Sequence, residues 1–541
     1  MRFQILLKTI NMGYKPLQIK NAAPRSTKNT SLTAGKGINI KDLPQLLNTD
    51  FAQVIQNYII VGDGQLQKRK GLLETFDVGA ARPITMLAKG TDDIIVFAFT
   101  TTVAAYTIST DTITNIKTGF SINNGFEGAR YGDFFFMANG VDRVWRFDLT
   151  NLGAGATELT ETPTGSQVVR AIGARLFVGE GSSVHYSSID DGTDPPFTNF
   201  TPVDTLADGP GRIDNRQGGT VRAIEPFGQD IIVFQDDGKF AFFINQIDSA
   251  GTLSRVDVFR MSRFDFGGAR GAKMTSAGMF YFNEAGLWQL VSVGNVQLPL
   301  SDQEGLVSVF LGNNFFDDVT FNNADIIEDS LQKLILITAA KNSDTNNLVL
   351  AYHIDRKAFT QFIGWNINRF MRDQEDLYGG SALTNTVFQL FQGFDDNGAD
   401  IGTIYSQEIK LGDFETRQVI KDFYVQGLLS PSTEITIAFN IFDVEGIPRI
   451  NKKRYTWSTQ YNLNGGTGWG TSTWGGSAWA GDQDFANLIE SFDGAKIFIR
   501  NFQRLTVEFR GGDQLGHVLN WFSAESEVKA KIRRRQLVEL T

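Results

Sequence analysis

Three histidines, His185, His353 and His517, supply all the imidazole in 541 residues, and cysteine is absent. The histidines lie more than 150 residues apart. Neighbouring positions therefore form no HExxH pair, no zinc or iron–sulfur cradle and no thiol nucleophile. His185 and His353 stand beside Tyr186 and Tyr352 in strand-like runs and read as structural. Asp395-Asp396-Asn397-Gly398-Ala399-Asp400 sets acids at calcium-like spacing. Ser406 or Gln407 stands where the bidentate Glu of an EF-hand loop belongs, so Asp395, Asn397 and Gly398 read as a turn. Gly267-Gly268-Ala269-Arg270-Gly271-Ala272-Lys273 lacks the spacing and the Ser/Thr of a phosphate loop. No GxSxG elbow anchors a hydrolase triad. Among 60 acidic residues some pair falls close in any fold, which gives paired carboxylates no weight. The expectation is a chain with no catalytic residue, no cofactor and no metal.

The elements read as β-structure. Short apolar runs begin at Ile94, Phe134, Leu176, Ile231, Met279, Leu334 and Val387, with steps of 40, 42, 55, 48, 55 and 53 residues. Each is too short for a helix and suits a strand buried on both faces. Polar or Gly-containing turns follow, as at Asp236-Asp237-Gly238 and Asn283-Glu284-Ala285-Gly286, and a second strand comes after each. Val-Arg-Ala-Ile occurs at 169–172 and again at 221–224. A three- to four-stranded unit at this period predicts a β-propeller, because small sheets bury both faces only when stacked around an axis. About seven blades fit residues 81–410, and the uneven steps leave six or eight open. Ser301-Asp302-Gln303-Glu304 fits a capping box ahead of Leu306, Val307, Val309 and Phe310 and predicts a connector helix. A second short helix is predicted over Phe51–Tyr58. Ser188-Ile189-Asp190-Asp191-Gly192-Thr193, with Phe197 beyond, resembles half of a sialidase Asp-box, a structural turn centred on Asp190 and Gly192.

Beyond residue 411 the period breaks. Glu434–Asn440 and Arg504–Phe509 alternate as half-buried antiparallel strands do, which predicts a C-terminal β-sandwich over 411–541. Its Gly/Trp-rich loop, 464–481, carries Trp469, Trp474 and Trp479, read as interface or receptor contacts rather than core. Residues 1–80 read as a basic arm and docking segment. Residues 1–41 hold eight Lys/Arg and no acid, so the remaining 500 carry 42 basic and 60 acidic groups, a balance of −18. Lys15, Lys20, Arg25 and Lys28 are candidates for docking on an acidic neighbour, against the plainer reading of a solvated tail. Met12 is a second candidate start. The acidic body argues against general nucleic-acid binding, and no stretch approaches the ~20 apolar residues of a membrane span.

Several stretches resemble the tail nozzle, or packaged-DNA stabilization, proteins of short-tailed phages. Asn57 followed by Gly64-Gln65-Leu66-Gln67-Lys68-Arg69-Lys70-Gly71 is similar to that family's N-terminal signature. Val184-His185-Tyr186-Ser187 with Asp190 and Phe197, then Phe266–Phe282 with Gly286-Leu287-Trp288, resemble its propeller elements. Phe394-Asp395-Asp396-Asn397-Gly398 through Lys421-Asp422-Phe423 resembles its passage to the C-terminal domain. The resemblance spans 50–525 as scattered motifs whose order carries the weight. It implies a homo-oligomeric ring, a hexamer, at the distal end of a virion tail assembled in the host cytoplasm. The ring would sit below the head-to-tail adaptor and portal, near tail fibre or needle proteins. Genomic DNA would pass through it without specific binding. Two rivals are a propeller glycosidase acting on host polysaccharide, which needs converging carboxylates on the propeller axis, and a monomeric receptor-binding propeller using the Trp loop.

Overall fold

The computed structural model describes residues 26–529 except 33–34, 43–49, 202–208, 215–218, 248–252, 261–270, 291–303, 410–416, 443–452, 459–488, 494–498 and scattered stretches of one to three residues. The chain is all-β and its centre is a seven-bladed propeller. The inner strands are Ile84–Lys89, Glu127–Tyr131, Ser166–Ile172, Val221–Phe227, Lys273–Thr275, Ile326–Asp329 and Ile367–Asp373. Each meets the next, and the seventh returns to the first. Blades one to five are four-stranded antiparallel meanders. The apolar runs are explained by this stacking: Val96, Phe97 and Ala98 of blade one and Leu334, Ile335, Leu336 and Ile337 of blade six are buried on both faces.

The seventh blade departs from the meander. Its first three strands are Ile367–Asp373, Asp376–Ser381 and Thr386–Gln392, and its fourth is Gly71–Asp77, from the N-terminal side of the ring. One sheet thus joins both ends of the propeller, and Phe76 of its closing strand packs with Ile84, Phe97, Met371 and Val387.

The N-terminal segment is woven into the body. Ser26–Leu32 pairs along His517–Lys529, from Ser26↔Val528 to Leu32↔Phe522. Val54–Gln56 pairs with Ala399–Ile409 on one side and Ala358–Ile363 of blade six on the other. Tyr58–Val61 and Gln65–Lys68 form a hairpin that pairs onto His517–Lys529. Two sheets face each other here. One holds Ala399–Ile409, Arg504–Asp513, Glu434–Phe442 and Lys453–Ser458; the other holds the hairpin, His517–Lys529, Arg417–Leu429, Ile489–Asp493 and Ile499–Phe502. Phe423, Phe439 and Phe509 meet between them, with Phe423 and Phe439 centroids 5.0 Å apart. The sandwich therefore begins at Ala399 rather than 411 and takes strands from the segment read as an arm.

Two local expectations are corrected. Glu304–Leu306 is the fourth strand of blade five, paired with Gly286–Leu290, and not a helix. The sheet's need for a fourth strand outweighs the local capping signal. Phe51–Tyr58 holds strand Val54–Gln56 and the start of the next, broken by Asn57 at φ 58°. The two Val-Arg-Ala-Ile copies both lie in inner strands, of blades three and four, but at different registers. Ile172 pairs with Arg175 beside its hairpin turn, where the matching residue of blade four is Phe227, three positions past Ile224.

Candidate functional site

The residues that carry the N-terminal signature and those at 395–398 converge on one buried lock. Asn57, in the left-handed region, ends one strand so that its side chain turns inward. Its Oδ1 accepts from Arg69 Nε at 3.0 Å and from the Ile363 N–H at 2.9 Å, and its Nδ2 donates to the Gly402 carbonyl at 2.6 Å. Arg69 is fully buried and donates in a fork to Asp396, Nη1 to Oδ1 at 2.8 Å and Nη2 to Oδ2 at 2.6 Å. Its guanidinium lies 4.7 Å from the Trp365 ring centroid, and Trp365 Nε1 donates to the same Asp396 at 3.1 Å. Burial pulls the Arg69 pKa down against the opposing pull of Asp396. This geometry suits arginine and not lysine, since the planar fork meets carboxylate and ring together.

Asp395, Asn397 and Gly398 build the turn that presents Asp396. Asn397 and Gly398 both have positive φ, 52° and 86°, as a tight hairpin requires. Asp395 Oδ1 accepts the Gly398 N–H at 2.7 Å, and the Asn397 N–H donates to Leu72 O at 2.8 Å. Gly71 packs so closely on this turn that an added Cβ would fall inside the Asp395 carbonyl.

Asp190 and Gly192 form a second turn. Asp190 Oδ1 accepts the Gly192 N–H at 3.0 Å, and its Oδ2 accepts the Tyr131 hydroxyl of blade two at 2.9 Å. That hydrogen bond, then burial, raises the Tyr131 pKa. Buried Phe197 packs on Tyr131 at 4.4 Å. The turn thus ties blade three to blade two. Asp190→Ala is expected to cost about 1–2 kcal/mol, since the Gly192 N–H and the Tyr131 hydroxyl lose their acceptor together. Urea denaturation of the Asp190→Ala and Tyr131→Phe variants checks this, with the second costing less.

All three histidines sit in strands. His353 hydrogen-bonds Thr360 Oγ1 at 3.1 Å, and His517 hydrogen-bonds the Tyr58 hydroxyl at 2.8 Å. Burial pushes both pKa values down to about 3, helped by Arg356 at His353 and by Lys68 at His517. In the unfolded chain each titrates near 6.5. Between those values the unfolded chain binds more protons, so stability falls as pH drops below 6.5, by about 1.4 kcal/mol per pH unit for each histidine. Denaturation midpoints at pH 7, 6 and 5 should show this slope, and His517→Gln should flatten it by about half.

The inner strands enclose an axial cavity of about 530 Å³. Lys89, Arg130, Arg170, Arg222, Lys273, Arg369 and Arg372 line it, with Glu127, Asp325 and Glu328 as the lining carboxylates. Arg170 bridges blades by pairing with Glu127 at 3.1 Å and Glu225 at 3.2 Å. Burial opposes its charge, but the two carboxylates outweigh burial and raise its pKa. Asp325 accepts the Phe370 and Ile326 N–H groups, and Glu328 holds the Ser276 hydroxyl and N–H. Each carboxylate is committed to a fixed partner, which is not the arrangement of a glycosidase acid and nucleophile. The sequence reading missed this site because its members sit on separate blades. The signal was available only as a cation on six of the seven inner strands.

Of the other candidates, Lys28 lies in Ser26–Leu32 and pairs in register with Ser526 of the same chain. Lys15, Lys20, Arg25, Trp469, Trp474 and Trp479 lie outside the described residues.

No protein-family model and no curated protein matches the sequence. Among solved structures, the chain is similar to the extracellular domain of a one component system from B. thetaiotaomicron, at 12% identity and a TM-score of 0.42, over 70% of this chain and 44% of that one. It is also similar to the WD40 β propeller domain of Doa1, at 10% identity and a TM-score of 0.38, over 59% of this chain and 96% of that domain. The chain thus spans less than half of that extracellular domain. Among the described residues no helix is long and apolar enough to cross a membrane.

Proposed function

We propose that the chain is a structural virion protein of a short-tailed phage: one subunit of a nozzle ring that extends the DNA channel below portal and adaptor and helps retain the packaged genome. The observation that carries this reading is where the family-like residues lie. Asn57, Arg69, Gly71 and Asp395–Gly398 are the residues that close the propeller and bind it to the sandwich. A subunit holding back pressurised DNA needs a propeller that does not open, and this chain does so without a disulfide. The propeller's own axis, at about 530 Å³, has the volume of a small-molecule pocket, so DNA passes through the ring and not through the blade axis. The −18 balance of residues 42–541 suits a conduit in which phosphates slide without sticking. Adaptor, fibre or needle proteins and further copies of this chain are the proposed partners.

Particles assembled without the chain are expected to fill with DNA and then leak it, and added purified chain should restore retention. Full genome retention in its absence would overturn the reading.

A further inference from the structure

We infer that the propeller axis is a binding site for a small phosphate-bearing anion. The inference stands on the cavity itself and does not depend on the nozzle reading. In a chain of net charge −10, this cavity is lined by seven cations and three carboxylates. Pairing accounts for part of the excess. Arg170 is neutralised by Glu127 and Glu225, Lys89 by Asp92 and Asp373, and Arg222 by Asp236.

Of the other four, Arg369 donates to the Thr85, Asn323 and Asn368 carbonyls. Arg130, Arg372 and Lys273 are in no ion pair among the described residues, with Asp92 acting on Arg130 and Asp329 on Arg372 only at longer range. Arg130 spends only Nε, on the Gly132 carbonyl at 2.9 Å. Arg372 spends Nε on Gln374 O and Nη2 on Ser330 Oγ, both neutral. Lys273 is exposed. Their places in the fold matter as much as their charge. Arg130 is the residue before the pair that closes its hairpin, Tyr131↔Phe134, and Arg372 is the residue before Asp373↔Asp376. Both therefore stand at one level of the axis, on blades two and seven, with blade one between them. Lys273 stands two residues before its closing pair, Thr275↔Gly278, on blade five across the ring. Two guanidinium groups and an ammonium that line one cavity from different blades suit a compact ligand with two or three phosphates, which guanidinium groups grip bidentately. The volume suits a ligand of sugar-phosphate size.

Isothermal titration of the full chain with inorganic tripolyphosphate at low salt tests the site. One equivalent is expected to bind, with affinity falling at least tenfold in Arg130→Gln/Lys273→Gln. It should be unchanged in Arg454→Gln, an exposed cation on the sandwich. Lys273→Gln alone, at an exposed position, should weaken binding about threefold and carries the test if the double variant misfolds. A 5′-phosphorylated single-stranded oligonucleotide run as competitor identifies the source: displacement assigns the site to a nucleic-acid end, and no displacement to a free phosphate compound. No binding at millimolar tripolyphosphate, or equal binding by the axial variants and wild type, would overturn the inference.

Discussion

Arg69→Met is expected to lower the stability of the chain by about 3–5 kcal/mol, the range for breaking a buried ion pair from one side. The variant keeps the volume of the arginine stem but leaves Asp396, whose side chain is 15% exposed, facing Trp365 without its cation. It also removes the donors that hold the Ile363 and Lys70 carbonyls and Asn57 Oδ1. Arg69→Lys should recover little, because a single ammonium satisfies neither the second carboxylate oxygen nor the ring. Asp396→Asn keeps an acceptor for Trp365 and should fall between the two. Chemical denaturation of the full chain, read on its first transition, measures all three. A loss below about 1 kcal/mol, the size of a surface pair, would mean that the lock is solvated and that closure rests elsewhere.

Gly71→Ala should be at least as damaging, although it changes one methyl group. The added Cβ meets backbone, the Asp395 carbonyl and nitrogen, which cannot rotate away as a side chain does. Either the 395–398 turn or the strand Gly71–Asp77 must move, and that strand is the fourth of blade seven. We expect a loss of about 4 kcal/mol or more, the exceptional range that marks a specific structural failure. Amide exchange should rise across 71–77 and 386–392 together. Gly305→Ala, where nothing lies within 4 Å of the new Cβ, should stay within about 0.5 kcal/mol as a surface change does. Equal effects at both glycines would show that the contact on Asp395 is not what closes the ring.

The propeller was legible because burial on both faces writes itself as apolar runs. Six of the seven runs are the second strands of blades one to six. The seventh, at Val387, is a third strand instead. The second strand of blade seven, Asp376–Ser381, holds Gly379 and Gly380, whose missing Cβ atoms make room for Ile367 and Ile84. Its burial is supplied by neighbours, so no apolar run marks it. The fourth strand of that blade is over 300 residues away, and no local pattern reports such a pairing. The same holds for Arg69 and Asp396, separated by 327 positions. Each stood out in its own motif, as a signature and as a turn, while the bond between them is a property of the closed ring. The 301–310 and 51–58 segments misled in the opposite way: their capping and apolar signals are real, and sheet completion overrides them.

The central claim, that this propeller is a subunit of a tail ring, is tested most directly by mass photometry of the purified chain, alone and with lysate containing tailed particles. The account predicts a discrete ring species, or incorporation into tail complexes when the adaptor is there to template it. A stable monomer of 59.9 kDa that never joins particles would contradict it.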